Sequence, residues 1–172
     1  SSGSDGGAAV YLVFGTDEYL VSENSRALVN RLCPAADQAF GLEVIEARVD
    51  NAAEAVTAVR RCIEGVQTLG FLGGRKVVWL RDSNFFGTSQ ASEAQDTKTA
   101  VGQLADLLRA GLPQGQVLVI SAGKVDKRSA FFKACQSSGS VQEYGLPDKG
   151  YQVEEHTRET AMAAFRKAGL SA

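Results

Sequence analysis

Apolar positions in this chain change period repeatedly, and those changes mark out its elements. Val10-Tyr11-Leu12-Val13-Phe14 is a continuous apolar run that ends at Gly15. With no polar alternation, it predicts a strand covered on both faces, as in a parallel sheet. The period then lengthens, and Leu20, Asn24, Ala27, Leu28 and Leu32 recur at helical spacing. Thr16 is the expected N-cap of this helix, Asp17 and Glu18 lie in its positive first turn, and Cys33-Pro34 stops it. Leu42 to Ala47 predicts a second strand. Asn51 and Glu54 have capping-box character ahead of a helix striped by Ala52, Val56, Val59, Ile63 and Val66.

A connector, Gln67 to Gly74, leads to a third strand over Lys76 to Arg81. Gly87 to Asp96 is rich in Ser, Thr, Gln and Glu and is expected to be a mobile loop. Val101, Leu104, Leu107 and Leu108 mark a helix stopped by Gly111-Leu112-Pro113, and Gln116 to Ser121 is the most strand-like stretch of all. Lys127 to Ser137 reads as helix, with Ala130, Phe131, Ala134 and Cys135 on its apolar side, and Val141 to Tyr144 as a fifth strand. Alternating strands and helices imply βαβ units with right-handed crossovers. The expected fold is therefore α/β, a five-stranded parallel sheet with helices on both faces, spanning residues 10–145. Residues 1–9 are expected to form a flexible tail. Residues 146–172, beyond the turn formers Gly145 to Gly150, read as the start of a truncated helical domain, with an amphipathic helix from Val153 to Ala168.

Composition narrows the function. Net charge is -2, from 18 basic and 20 acidic residues, so the whole domain is not the basic body of a dedicated nucleic-acid binder. No apolar run approaches the roughly 20 residues that span a bilayer. The first residues lack the parts of a signal peptide, so no membrane is expected and the cytoplasm is the expected location. Cys33, Cys62 and Cys135 are scattered, which argues against disulfides or a zinc site, and Cys62 and Cys135 read as small core residues. The single histidine, His156, sits among charges and reads as solvated, so neither a metal cluster nor a Ser-His-Asp triad is supported.

Ligands of open α/β sheets bind at the carboxyl ends of the strands. A phosphate loop there needs several glycines and a lysine, whereas the first turn reads Gly15-Thr16-Asp17-Glu18-Tyr19, with one glycine, no lysine and two carboxylates. Asp82, after the third strand, stands beside Arg81 with no following glutamate, and reads as a cap or turn residue and not as a magnesium ligand. Gly70-Phe71-Leu72-Gly73-Gly74-Arg75-Lys76 has the glycines but not the spacing, and it leads into a strand. Its apolar pair, Phe71 and Leu72, has two readings: side chains tucked under the sheet, or a wedge presented to a partner's pocket. Lys124, Lys127, Arg128 and Lys133 form a basic cluster, read either as a solvated edge or as a phosphate-backbone contact.

Three segments in order carry a resemblance: Val10 to Leu20, Phe71-Leu72-Gly73-Gly74-Arg75-Lys76-Val77-Val78, and Lys124-Val125-Asp126-Lys127-Arg128. Together they resemble the N-terminal part of the bacterial DNA polymerase III delta subunit family, from about Val10 to the C-terminus. The resemblance implies an AAA+-like P-loop NTPase fold without a working nucleotide site, followed by the start of a helical lid domain. It also implies that Phe71 and Leu72 insert into a hydrophobic pocket of the sliding clamp, although the family commonly has Leu-Phe in this place. Implied partners are the clamp, the other clamp-loader subunits and primed DNA, with Arg75, Lys124, Lys127 and Arg128 as candidate DNA or subunit contacts. No catalytic residue, cofactor or metal is assigned to the chain, and nucleotidyl transfer would come only through membership of the polymerase holoenzyme. The family's C-terminal collar domain lies beyond Ala172, so this piece is expected to bind a clamp without assembling a loader. Two rivals remain: a degenerate nucleotide-binding ATPase domain, and a DNA-binding module using the Lys124–Lys133 edge.

Overall fold

Every apolar run predicted as a strand forms one, and all of them join a single sheet. The computed structural model describes residues 8–68 and 75–145. Among these, β1 (Val10–Phe14), β2 (Leu42–Glu46), β3 (Lys76–Ser83), β4 (Gln116–Ala122) and β5 (Ser140–Glu143) lie in the order β2-β3-β4-β1-β5. Every pairing is parallel, with Leu12 opposite Ile120 and Val141, and Leu80 opposite Ile120 on the other side of β4. Central strands β1 and β4 are buried along their whole length, which is why their sequences show no polar alternation. The sheet's bonding starts before Val10, because the Ala9 carbonyl accepts from Leu118 N.

The helices are α1 (Glu18–Leu32), a single turn α2 (Gln38–Gly41), α3 (Ala52–Gln67), another single turn α4 (Gln90–Glu93), α5 (Gln95–Ala110) and α6 (Ala130–Ser138). Helices cover both faces of the sheet. On one face Leu12, Phe14, Leu80, Leu118 and Ile120 pack against Val59, Cys62 and Val66 of α3, Leu104 and Leu108 of α5, and Phe131 and Cys135 of α6. On the other, Tyr11, Val77, Trp79, Val117 and Val119 meet Val29 and Leu32 of α1. Burying each large aliphatic side chain contributes about 1.5–3 kcal/mol. Small residues Ala55, Ala58 and Cys62 let α3 lie close against the strands.

Several local expectations are corrected. Asp17, not Thr16, caps α1: its Oδ1 accepts from Leu20 N at 3.0 Å. The buried stripe of α1 is Val21, Ser25, Val29 and Leu32, one residue out of step with the row beginning at Leu20, which stays exposed. The segment 87–96 is not a continuous loop. Ser89 caps α4, α5 starts at Gln95, and Ser92 and Thr97 are buried. The last helix among the described residues starts at Ala130, capped by Ser129 Oγ, so Lys127 and Arg128 lie in the turn before it and Ala130 is exposed. Asn51 does cap α3, accepting from Glu54 N at 2.9 Å, while Glu54 Oε1 accepts from Asp50 N at 2.9 Å. Gly111, with φ +100°, ends α5 as expected.

Candidate functional site

In a parallel sheet all carboxyl ends share one edge, and a cleft of about 640 Å³ opens there. Gly15 and Glu18 of the first turn line it, with Asp82 and Ser83 from the end of β3, Lys124 from the end of β4, and Arg48. Buried aromatic rings pack in the core at the ends of β1 and β3. Phe86, just after β3, stacks on Phe131 of α6 with centroids 4.0 Å apart, and Phe14 meets Phe132 edge-on at 5.8 Å. A Phe86–Val125 bridge and the bond from Asp126 N to Phe86 O keep the segments after β3 and β4 side by side.

The floor of the cleft is closed where a phosphate loop would be open. Gly15 N donates to Gly123 O at 3.0 Å, and Asp17 N donates to Tyr144 O at 3.3 Å. Gly145 packs directly on Thr16 and Asp17, leaving no room for a β-carbon. Amides that a phosphate loop would aim at a ligand are therefore spent on the protein's own carbonyls. Two carboxylates, Asp17 and Glu18, stand at the same turn. The residues present do not fit a nucleoside triphosphate.

Asp82 holds a left-handed backbone at φ +57°, at an irregularity between Leu80 and Ser83 in the β3–β4 register. Its N–H donates to Ser121 Oγ at 3.1 Å, and Trp79 Nε1 donates to the same oxygen at 3.1 Å. The sequence reads Asp82 as a cap or turn residue after the strand; it lies instead within β3, at this irregularity, in a left-handed backbone that aspartate tolerates better than most residues. No group of His, Cys, Asp and Glu suited to a metal occurs among the described residues.

The basic candidates do not form one patch. Arg75 precedes β3 and so lies at the amino edge, opposite Lys124, Lys127 and Arg128. At the carboxyl edge, Lys127 Nζ pairs with Glu143 Oε1 at 2.6 Å and lies 5.8 Å from the Phe14 ring centroid. Arg128 pairs with Asp126 through Nε at 3.1 Å, and this hydrogen bonding holds the Asp126 carboxyl below its usual range. Lys124 and Lys133 are exposed and form no ion pair among the described residues.

Phe71 and Leu72 lie outside the described residues, as do His156 and the expected helix from Val153. The ends of their connector are described. Thr68, just past α3, has its carbonyl bonded by Gln116 Nε2 at 3.1 Å. Lys76, opening β3, donates its backbone N–H to Gly115 O at 2.9 Å, and its ammonium meets both Gly65 O and Glu43 Oε1 at 3.0 Å. Sequence reasoning overlooked these residues, although a polar residue leading an otherwise apolar strand, as Lys76 and Gln116 do, was the available signal.

A family model described as DNA polymerase III, delta subunit, matches residues 11–144. No curated protein matches in sequence. Among solved structures, the chain is similar to the Bacillus subtilis DNA clamp loader delta protein, at 17% identity and a TM-score of 0.58, covering 93% of this chain and 43% of that one. It is also similar to a DNA polymerase III gamma subunit-related protein from Thermotoga maritima, at 16% identity and a TM-score of 0.50, covering 83% and 43%. The chain thus spans less than half the length of either structure, and at these identities the likeness shows a shared α/β fold with a parallel sheet. No helix among the described residues is long and apolar enough to cross a membrane.

Proposed function

The chain belongs to the DNA polymerase III delta-subunit family, and on that premise we propose that it is the domain of a clamp-loader subunit that binds the sliding clamp and promotes its opening without hydrolysing ATP. The observation that carries this reading is the closed first turn, where Gly15 and Asp17 donate their amides to Gly123 and Tyr144. An ATPase architecture without room for phosphates is suited to binding, with the ATP-driven switching left to neighbouring subunits.

The clamp contact is assigned to Phe71 and Leu72, in the sequence between Thr68 and Arg75. Seated in an apolar pocket, each side chain contributes about 1.5–3 kcal/mol, enough for an interface hot spot. Opening follows from differential affinity: a domain that binds the relaxed clamp interface more tightly shifts the ring toward it. Arg75, Lys124, Lys127 and Arg128 are proposed contacts to primed DNA or other loader subunits. The Glu143 and Asp126 partners of Lys127 and Arg128 make DNA the lesser partner of this domain. Replacing Phe71 and Leu72 together by Ala and measuring association with the cognate clamp tests the assignment.

A further inference from the structure

A second cleft, of about 330 Å³, opens between α3 and the segment that follows β2. Glu54, Thr57 and Arg61 recur along one exposed side of α3 and line it, and Arg48 lines it from the segment after β2. Its two carboxylates are already engaged: Glu46 pairs with Arg81, and Glu54 Oε1 accepts from Asp50 N at 2.9 Å. Arg48 and Arg61 are exposed and form no ion pair among the described residues. What the cleft has left to offer is two guanidinium forks and the Thr57 hydroxyl. The backbone that carries the forks is well held. Ala47 N donates to Arg81 O at 2.8 Å, and the Asn84 side chain bonds both the N–H and the carbonyl of Val49, at 3.0 and 2.9 Å. Arg48 is thus pinned on either side, and Arg61 stands on a helix packed against the sheet.

We propose that this cleft binds a small phosphate monoester, with its phosphate held between Arg48 and Arg61. A monoester presents three terminal oxygens and nearly two charges, which accept from two planar forks and a hydroxyl at once. A phosphodiester presents fewer free oxygens and a single charge, so a nucleic-acid backbone is the poorer fit. The volume is that of about ten waters, more than a bare phosphate fills, and Val49 and Ala58 give the remainder an apolar wall. An organic body is therefore expected on the phosphate. Arg48 also lines the carboxyl-edge cleft, but the site takes nothing from the closed first turn and does not depend on the clamp reading of Phe71 and Leu72.

The test titrates the whole 172-residue chain, isotope-labelled for NMR, with adenosine monophosphate at constant ionic strength. Adenosine, cyclic AMP and inorganic phosphate serve as controls. The monophosphate is expected to shift the signals of Arg48, Thr57 and Arg61 saturably, with a dissociation constant on the order of 1 mM. Adenosine is expected to leave them unmoved, and cyclic AMP, a diester, to bind about tenfold more weakly. Arg48→Gln and Arg61→Gln are each expected to weaken binding about tenfold, with the rest of the spectrum in place. Arg61→Lys is expected to recover only part of that loss, since an ammonium has no fork. If Arg48→Gln disturbs the fold, Arg61→Gln, on the exposed side of a helix, carries the test alone. No saturable shift at these residues overturns the proposal. So does unchanged affinity in the Gln variants, which puts the probe elsewhere. Cyclic AMP or inorganic phosphate binding as tightly as the monophosphate also overturns it, because the site would then select neither the dianion nor its organic body.

Discussion

The backbone of Tyr144 rests directly on the α-carbon of Gly15: a β-carbon there would overlap the Tyr144 carbonyl oxygen, and Gly15 has φ +146°. The same carbonyl accepts from Asp17 N, so this contact closes the first turn. Gly15→Ala faces both a steric overlap and a backbone conformation that side chains rarely adopt. A loss of at least about 2 kcal/mol is expected, read as a lower urea midpoint with an unchanged slope. An unchanged midpoint would show that the two strand ends are not in contact.

The closed turn also predicts a negative titration. Isothermal calorimetry with Mg-ATP is expected to show no saturable heat at micromolar concentrations. Saturable binding there would revive the degenerate-ATPase reading and require the Tyr144–Gly145 segment to move aside.

The Phe71→Ala, Leu72→Ala chain is expected to lose at least about a hundredfold in clamp affinity, with its far-ultraviolet circular dichroism unchanged. Should the double variant unfold instead, the pair belongs to the core and the wedge reading fails.

Charge pairing predicts weak DNA binding by the isolated domain. With Lys127 and Arg128 held by Glu143 and Asp126, few phosphates are neutralised, and each one counts for about -0.9 in the slope of log affinity against log salt. Glu143→Gln together with Asp126→Asn frees both cations, and is expected to steepen that slope by one to two such increments. A steep slope in the parent chain would favour the DNA-binding rival.

The thiols provide a chemical test of the core. Burial pushes Cys62 and Cys135 up to about 12 and raises Cys33 as well. The thiolate is the reactive form, so at pH 8 an aromatic disulfide reagent is expected to modify none of the three quickly in the native protein. In urea all three are expected to react. Fast native modification of Cys62 would mean that α3 does not lie against the sheet as described.

β1 and β4 were legible because each buries both faces and leaves a continuous apolar run, and Asn51 announced the start of α3. The inward face of α1 was not legible. Two apolar rows a residue apart, Leu20-Asn24-Leu28 and Val21-Ser25-Val29, fit a helix equally well, and only the sheet selects the row with the small Ser25. Polar composition misled at 87–96, since Ser89 and Ser92 use their hydroxyls to bond each other and the helix start instead of water. At the first turn, the missing lysine and glycines were visible in the sequence. What occupies the space was not, because Tyr144 reaches Gly15 through a strand pairing between distant parts of the chain.

Trp79 is the sole tryptophan, and its position makes the protein its own optical gauge. The indole is 5% exposed, donates to Ser121 on the neighbouring strand, and carries the Arg81 guanidinium 5.2 Å from its ring centroid. Its emission therefore reads out the join between β3 and β4, the two strands that run from the sheet's amino edge to the closed cleft. A shift in that colour when a partner docks at one edge would reveal whether the sheet passes the disturbance to the other, with no label attached.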